Sequence, residues 1–255
     1  MDFARDVWYT LVRRLRTDLR QPVWLFFSLT QPLIWLLLFT QLFKSIALMP
    51  GFPTGDYLQF FAPGLIVMLV VFSSAYTGFD IMVDINYGVV DKMLVTPANR
   101  YAIIIGNILN AIVSMSIQVL IIFGISSLMG VSIETGGTGL LLTLVIVWLL
   151  GLAFSGLSYA LVIATRSHTA LVVVSNMLTL PLMFLSSAMM PQQLVPGWVT
   201  TAMKFNPVNY AVEAVRPLFV TGYDWNAYLI ALGILGAFAV VGVSAAVLAF
   251  RGFGK

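Results

Sequence analysis

The 255-residue chain has no cysteine, a single histidine and few charges: only 9% of its residues are Asp, Glu, Lys or Arg. Without cysteine there is no disulfide, no thiolate nucleophile and no cysteine-ligated metal. The lone histidine, His168, stands in the stretch "TRSHT" with no second histidine or clustered carboxylate to share a metal,. No nucleophile partner is recognisable either, so His168 reads as a solvated turn residue. The shortage of charge excludes more. A soluble domain carries roughly 25% charged residues, whereas this chain is 60% hydrophobic. It cannot cover a water-facing surface, so lipid is its main solvent.

Three further absences narrow the function. No GxxxxGK[ST] phosphate loop occurs, so the chain is not expected to bind or hydrolyse ATP itself,. The apolar runs hold almost no charge, which argues against an ion-driven carrier or a proton pump. Paired acids and Ser/His/Asp sets are missing from those runs, which argues against an intramembrane enzyme. The net charge of +3 comes largely from arginines near the N-terminus and speaks to topology, not to nucleic acid,. No cleavable signal peptide, internal repeat or low-complexity segment is evident.

What is present is a series of runs near the 20 apolar residues that a spanning helix needs. Six are expected, at Val23–Phe43, Tyr57–Phe79, Tyr101–Met129, Thr138–Thr165, Thr169–Met190 and Trp225–Phe250. With the N-terminus in the cytoplasm, one side holds Arg5, Arg13, Arg14, Arg16, Arg20, Lys92, Arg100, Arg166, Arg251 and Lys255. The other holds Lys44, Lys204 and Arg216. That bias predicts both termini inside. The expected fold is all-α and integral to the membrane: a single transmembrane domain, with residues 1–22 an interfacial helix and 23–250 a six-span bundle.

In the leading helix Phe3, Val7, Leu11, Leu15 and Leu19 share a face with Trp8 and Val12,. Arg5, Arg13, Arg16 and Arg20 lie opposite, a pattern suited to the membrane interface or to a simple topogenic anchor. Arg14 and Asp18 interrupt the apolar arc, and their i,i+4 spacing lets them pair. Pro22 ends this helix, and Gln31-Pro32 predicts a kink in the first span. In the third span Asn107, Asn110, Ser114 and Gln118 trace one helical face. They could line a path for a partly polar molecule, or hydrogen-bond to neighbouring helices. Gly151, Ser155, Tyr159, Ser175 and Thr179 read as close-packing surfaces.

After the fifth span, "MMPQQLVPGWVTTAMKFNPVNYAVEAVRPLF" is punctuated by Pro191, Pro196, Pro207 and Pro217. These prolines predict an outer re-entrant hairpin of two short helices, 195–205 and 207–215, with Trp198 and Tyr210 in the interfacial belt. Asn206 is placed to cap the second helix, and Glu213 and Arg216 are spaced to pair. On the cytoplasmic side, "YGVVDKMLVTP" has the composition of a short amphipathic helix with Val89, Val90, Met93 and Leu94 apolar, Asp91 and Lys92 polar, and Pro97 as its stop. An apolar ridge there suits docking into a groove on a soluble partner; resting on the lipid surface is the plainer alternative.

Two stretches carry a resemblance. "GVVDKMLVTPANRYAIIIGN", Gly88–Asn107, and "MPQQLVPGWVTTAMKFNPVNYAVEAVR", Met190–Arg216, are similar to motifs of the type 2 family of ATP-binding-cassette (ABC) exporter permeases, daunorubicin-resistance branch. The resemblance covers nearly the whole chain. It implies a permease in the inner (plasma) membrane, paired with a second permease subunit as a homodimer or heterodimer. It also implies two cytosolic ABC ATPase subunits that hold the ATP and Mg, and no cofactor or metal on this chain. Gly88, Val89, Val90, Asp91, Lys92, Met93, Leu94, Pro97 and Arg100 would then form a coupling helix and its flanks. Asp80, Asp84 and Asn86 make the approach to it more acidic than expected of the family. The implied cargo is an amphipathic drug-like or lipid-like molecule; a polysaccharide or teichoic-acid precursor is the alternative within the family. Outside transport, the chain could anchor a cytosolic protein to the membrane.

Overall fold

A computed structural model describes residues 3–20, 22–49, 52–89 and 100–251. Among these, all regular structure is helical. The helices are α1 (Phe3–Leu19), α2 (Pro22–Leu42), α3 (Tyr57–Ala75), α4 (Gly78–Asn86), α5 (Arg100–Leu128), α6 (Gly136–Thr165), α7 (His168–Phe184), α8 (Gly197–Met203), α9 (Pro207–Val220) and α10 (Trp225–Arg251). Four stretches are long and apolar enough to cross a membrane: Tyr57–Asn86, Tyr101–Leu128, Gly136–Thr165 and Trp225–Arg251. Phe26–Leu42 and His168–Phe184 are shorter apolar helices. At 1.5 Å per residue the 30 residues of α6 extend about 45 Å, well beyond a hydrocarbon core of about 30 Å,.

The second apolar run is the hub. Of its most apolar stretch 83% is buried, against 28% for α10. Phe60, Phe61, Leu65, Ile66, Val67 and Val70 of α3 are all but inaccessible, enclosed by α2, α5, α6 and α9. On α10, Leu229, Val240, Val241 and Leu248 stay exposed, as lipid-facing side chains would. The α6–α10 contact is the most extensive in the fold, and small residues make it so. A Cβ added to Gly242 would lie 2.3 Å from the carbonyl oxygen of Ala153, and one on Gly156 would lie 2.3 Å from the backbone of Gly242. Such close backbone approach is the usual route to helix association in lipid, where burying apolar surface brings no gain.

Two boundaries differ from those expected. The second run does not end at Phe79. It breaks at Tyr76–Thr77 and continues as α4 to Asn86. The broken ladder is repaired by hydroxyls from other helices: Ser158 and Ser175 donate to the Ala75 carbonyl at 2.7 and 2.9 Å, and Ser158 accepts from the Gly78 amide at 2.9 Å. Non-helical backbone survives at depth only with such partners. The close-packing reading of Ser175 thus gains a specific hydrogen bond.

The fifth run stops at Phe184, not Met190. The residues that follow are unwound because side chains replace their helical bonds. Asn206 donates to the Leu182 and Leu185 carbonyls, both at 2.6 Å, and Asn209 accepts from the Ser187 amide at 2.9 Å. Tyr57 donates to the Met189 carbonyl at 3.0 Å.

Candidate functional site

The ends of the expected coupling segment are defined. Val90, Asp91, Lys92, Met93, Leu94 and Pro97 lie outside the described residues. Gly88 closes α4 with a φ of +65°, and its amide reaches the Ile85 carbonyl at 3.0 Å. That left-handed conformation favours glycine and turns the chain off the helix axis. Val89 is partly exposed, and Arg100 opens α5. The segment therefore joins α4 to α5, the helices that also hold α1.

The hold on α1 is polar. Among its described side chains Thr10 and Arg14 are buried, while Phe3, Trp8 and Tyr9 stay exposed and free to meet lipid. Thr10 packs where α5 has Gly106: an added Cβ would come within 2.6 Å of the Thr10 Cβ. Arg14 does not pair with Asp18, contrary to the expectation from their spacing. Its guanidinium donates to the Asp84 carboxylate at 2.7 Å, to the Asp80 carbonyl at 2.7 Å and to the Asn107 side-chain oxygen at 3.0 Å. Arg13 adds a second contact to Asp84 at 3.1 Å. A buried charge demands partners of this quality, and three acceptors outweigh one exposed i,i+4 pair. Of the acidic approach, the Asp84 carboxylate is thereby explained as the receptor for α1, with Asp80 contributing its backbone carbonyl. Arg14 and these aspartates both stand out in the sequence, but nothing in it joins residues 70 apart.

Asp18 turns instead to α5, accepting from Asn110 at 2.8 Å and from Ser114 at 3.3 Å. The polar face of the third run is thus split. Asn107 serves the α1 contact. Asn110, Ser114 and Gln118 line a cavity of about 300 Å³ under α1, together with Arg14, Asp18 and Asp80. A second cavity of about 360 Å³ lies between α2 and α3, walled by Trp35, Leu65, Met68 and Phe72. The two share Ser73, Tyr76 and Phe79.

On the far side of α3, α8 spans 197–203 within the expected 195–205. α9 continues past Val215 to Val220 despite Pro217. Pro217 removes only its own amide, and burial of Leu218 and Phe219 holds the last turn,. Asn206 caps α9 through the Val208 amide at 2.9 Å, with Pro207 at the first helical position. Pro191 is buried, and Pro196 is the exposed residue before α8. Trp198 is exposed, as an interfacial residue would be, and Tyr210 donates to the Lys204 carbonyl at 2.8 Å.

Among the described residues no ion pair joins Glu213 to Arg216. Arg216 donates to the carbonyls of Phe60, Ser187 and Ala188, with its guanidinium 3.8 Å above the Phe60 ring. Glu213 accepts from Gln192 and Asn209. Unwound carbonyls after α7 need donors more than Glu213 needs a cation. His168 opens α7, exposed, its ring stacked on Phe79 at 5.4 Å.

Comparison with known proteins gives this architecture a family. The sequence model of the ABC-2 type transporter family matches residues 5–220. The chain is 30% identical to a putative transport permease, ycf38, of Cyanophora paradoxa over 83% of this chain and 73% of that relative. It is 28% identical to the daunorubicin resistance ABC transporter permease protein DrrB1 of Streptomyces coeruleorubidus, over 86% and 77%. A probable doxorubicin resistance ABC transporter permease protein, DrrC of Mycobacterium tuberculosis, is 24% identical over 62% and 58%. The match from α1 through α9, joined to a helical fold with four membrane-length apolar spans, shows that the chain belongs to the ABC-2 type transporter family as a membrane-embedded permease subunit of an ABC transporter.

Proposed function

We propose that this permease exports an amphipathic, drug-like or lipid-like molecule, driven by a separate ATPase. α2 and α7 complete six spans, both termini face the cytoplasm, and the assembly sits in the inner (plasma) membrane. Two copies of the chain work with two cytosolic ATPase subunits that bind ATP and Mg. The residues from Gly88 to Arg100 are the coupling element: Val89, Val90, Met93 and Leu94 dock on the ATPase, and Pro97 ends the helix.

One observation carries this reading. The segment between Gly88 and Arg100 connects α4 and α5 directly, and these two rods bound the cavity under α1. Force applied to it therefore acts on the walls of a pocket. Asn110, Ser114 and Gln118 form the polar side of the path, and the apolar cavity between α2 and α3 forms the other. An amphipathic cargo needs both kinds of wall. The outer hairpin, with Asn206 bracing it against α7, Arg216 bracing it against α3 and Glu213 holding Gln192, closes the outer end.

Met93→Asp tests the coupling element. The variant is expected to insert normally and retain ATPase activity with its partner while losing at least about nine-tenths of transport. A charge placed in an apolar docking contact costs several kcal/mol. Transport measured in vesicles at the unmodified level would overturn the assignment.

A further inference from the structure

The cavity under α1 is short of positive charge. Three carboxylates, Asp18, Asp80 and Asp84, belong to this cluster, against two guanidiniums, Arg13 and Arg14. Three negatives less two positives leave one formal negative charge. Both guanidiniums are bound to Asp84, and Arg14 reaches only the backbone carbonyl of Asp80. Among the described residues no arginine or lysine pairs with Asp18 or Asp80. Charge left uncompensated in such a setting is costly.

The hydrogen bonding has the same sense. Gln118 and Asn110 are 2% and 4% exposed, and the side-chain oxygen of each lacks a partner among the described residues. Asn110 gives its amide hydrogens to Asp18, which fixes its oxygen as the free end. The free end of Asn110 is therefore an acceptor, and the unbonded amide of Gln118 can turn its oxygen to the same space,. Asn107, whose amide nitrogen is also free, does not line the cavity. A donor-rich cation answers what an anion or a neutral acceptor cannot. Among the described residues no three acidic or histidine side chains converge to hold a metal ion. The wall shared with the apolar cavity carries Tyr76 and Phe79, stacked with ring centroids 6.0 Å apart. Aromatic faces favour organic cations.

We propose that this cavity binds the ammonium group of an amphipathic organic cation, whose apolar body lies between α2 and α3. Asp18, Asp80 and the oxygens of Asn110 and Gln118 accept from the ammonium. Trp35, Leu65 and Phe72 enclose the apolar part. This deepens the export reading by naming the class of cargo, and it rests on that reading for what binding is for.

The test uses the full chain in phosphatidylcholine nanodiscs and two fluorescent probes, monodansylcadaverine and its N-acetyl derivative. They share the dansyl ring and differ in the ammonium. The ammonium probe is expected to bind at least about 10-fold more tightly, a ratio set by one charge-assisted contact. Asp18→Asn and Asp80→Asn are each expected to reduce that preference severalfold while leaving binding of the acetylated probe unchanged, which also shows that the variant is folded. Equal affinity of the wild-type chain for the two probes would overturn the proposal, with no variant needed. Unchanged preference in both variants would overturn the placement. ATP-driven movement of both probes is measured separately with the ATPase in vesicles. Selective binding without movement retains the site and removes the export reading; movement of both probes without selective binding does the reverse.

Discussion

Arg14 concentrates the chemistry of α1 in one side chain. The side chain is 8% exposed, and its guanidinium is satisfied by a carboxylate, a carbonyl and an amide oxygen. Arg14→Met should destabilise the protein by about 3–5 kcal/mol, because it leaves Asp84 buried with only the half-exposed Arg13. Adding Asp84→Leu to that variant should recover much of the loss, since a paired deletion leaves no orphaned charge. Unfolding midpoints in detergent check both; a single variant as stable as the wild type would show that the pair contributes nothing. The sequence showed that Arg14 sat wrongly on its helix, yet offered Asp18 as the nearest partner. The true one lies on α4, and only the packed fold brings α1 and α4 together. Glu213 and Arg216 repeat the lesson: spacing proposed a pair, and unwound carbonyls elsewhere outbid it.

Among elements, the break between α3 and α4 shows what hydropathy can and cannot display. The run was legible as apolar, and its continuation to Asn86 was hidden because Asp80 and Asp84 read as loop. The charge of Asp84 is matched by α1 rather than by water, and Asp80 meets α1 through its backbone carbonyl alone. The repair of the break by Ser158 and Ser175 was visible only as two small polar residues in separate helices. Losing either hydroxyl should cost about 1 kcal/mol. Losing both should cost more than the sum, since the Ala75 carbonyl is then unpaired at depth,. A double-mutant cycle on Ser158→Ala and Ser175→Ala, read by thermal unfolding, measures this; strict additivity would mean that another group takes over the carbonyl. The outer hairpin was more legible, because Asn-Pro and the spaced prolines act locally. α7 was less so, its end being set by donors from α9.

For the whole molecule, the α6–α10 interface joins the last apolar span to the rest. Gly242→Val places its Cβ on the Ala153 carbonyl and should abolish most folded, monodisperse protein. Gly236→Val, on the same helix with nothing within 4 Å of its added Cβ, should leave it intact. Size-exclusion profiles of the two separate the outcomes, and equal profiles would show that close approach is not what holds α10. Glycine content alone could not single out Gly242 among twenty.

A different consequence follows from the single guanidinium that touches both rods. Arg14 reaches Asp84 on α4 and Asn107 on α5 at 2.7 and 3.0 Å, so it works as a caliper set to one gap. If the rods spread by about 1 Å, at least one jaw must release. The chain's first helix would then register the stroke at the opposite end of the sequence from the outer hairpin.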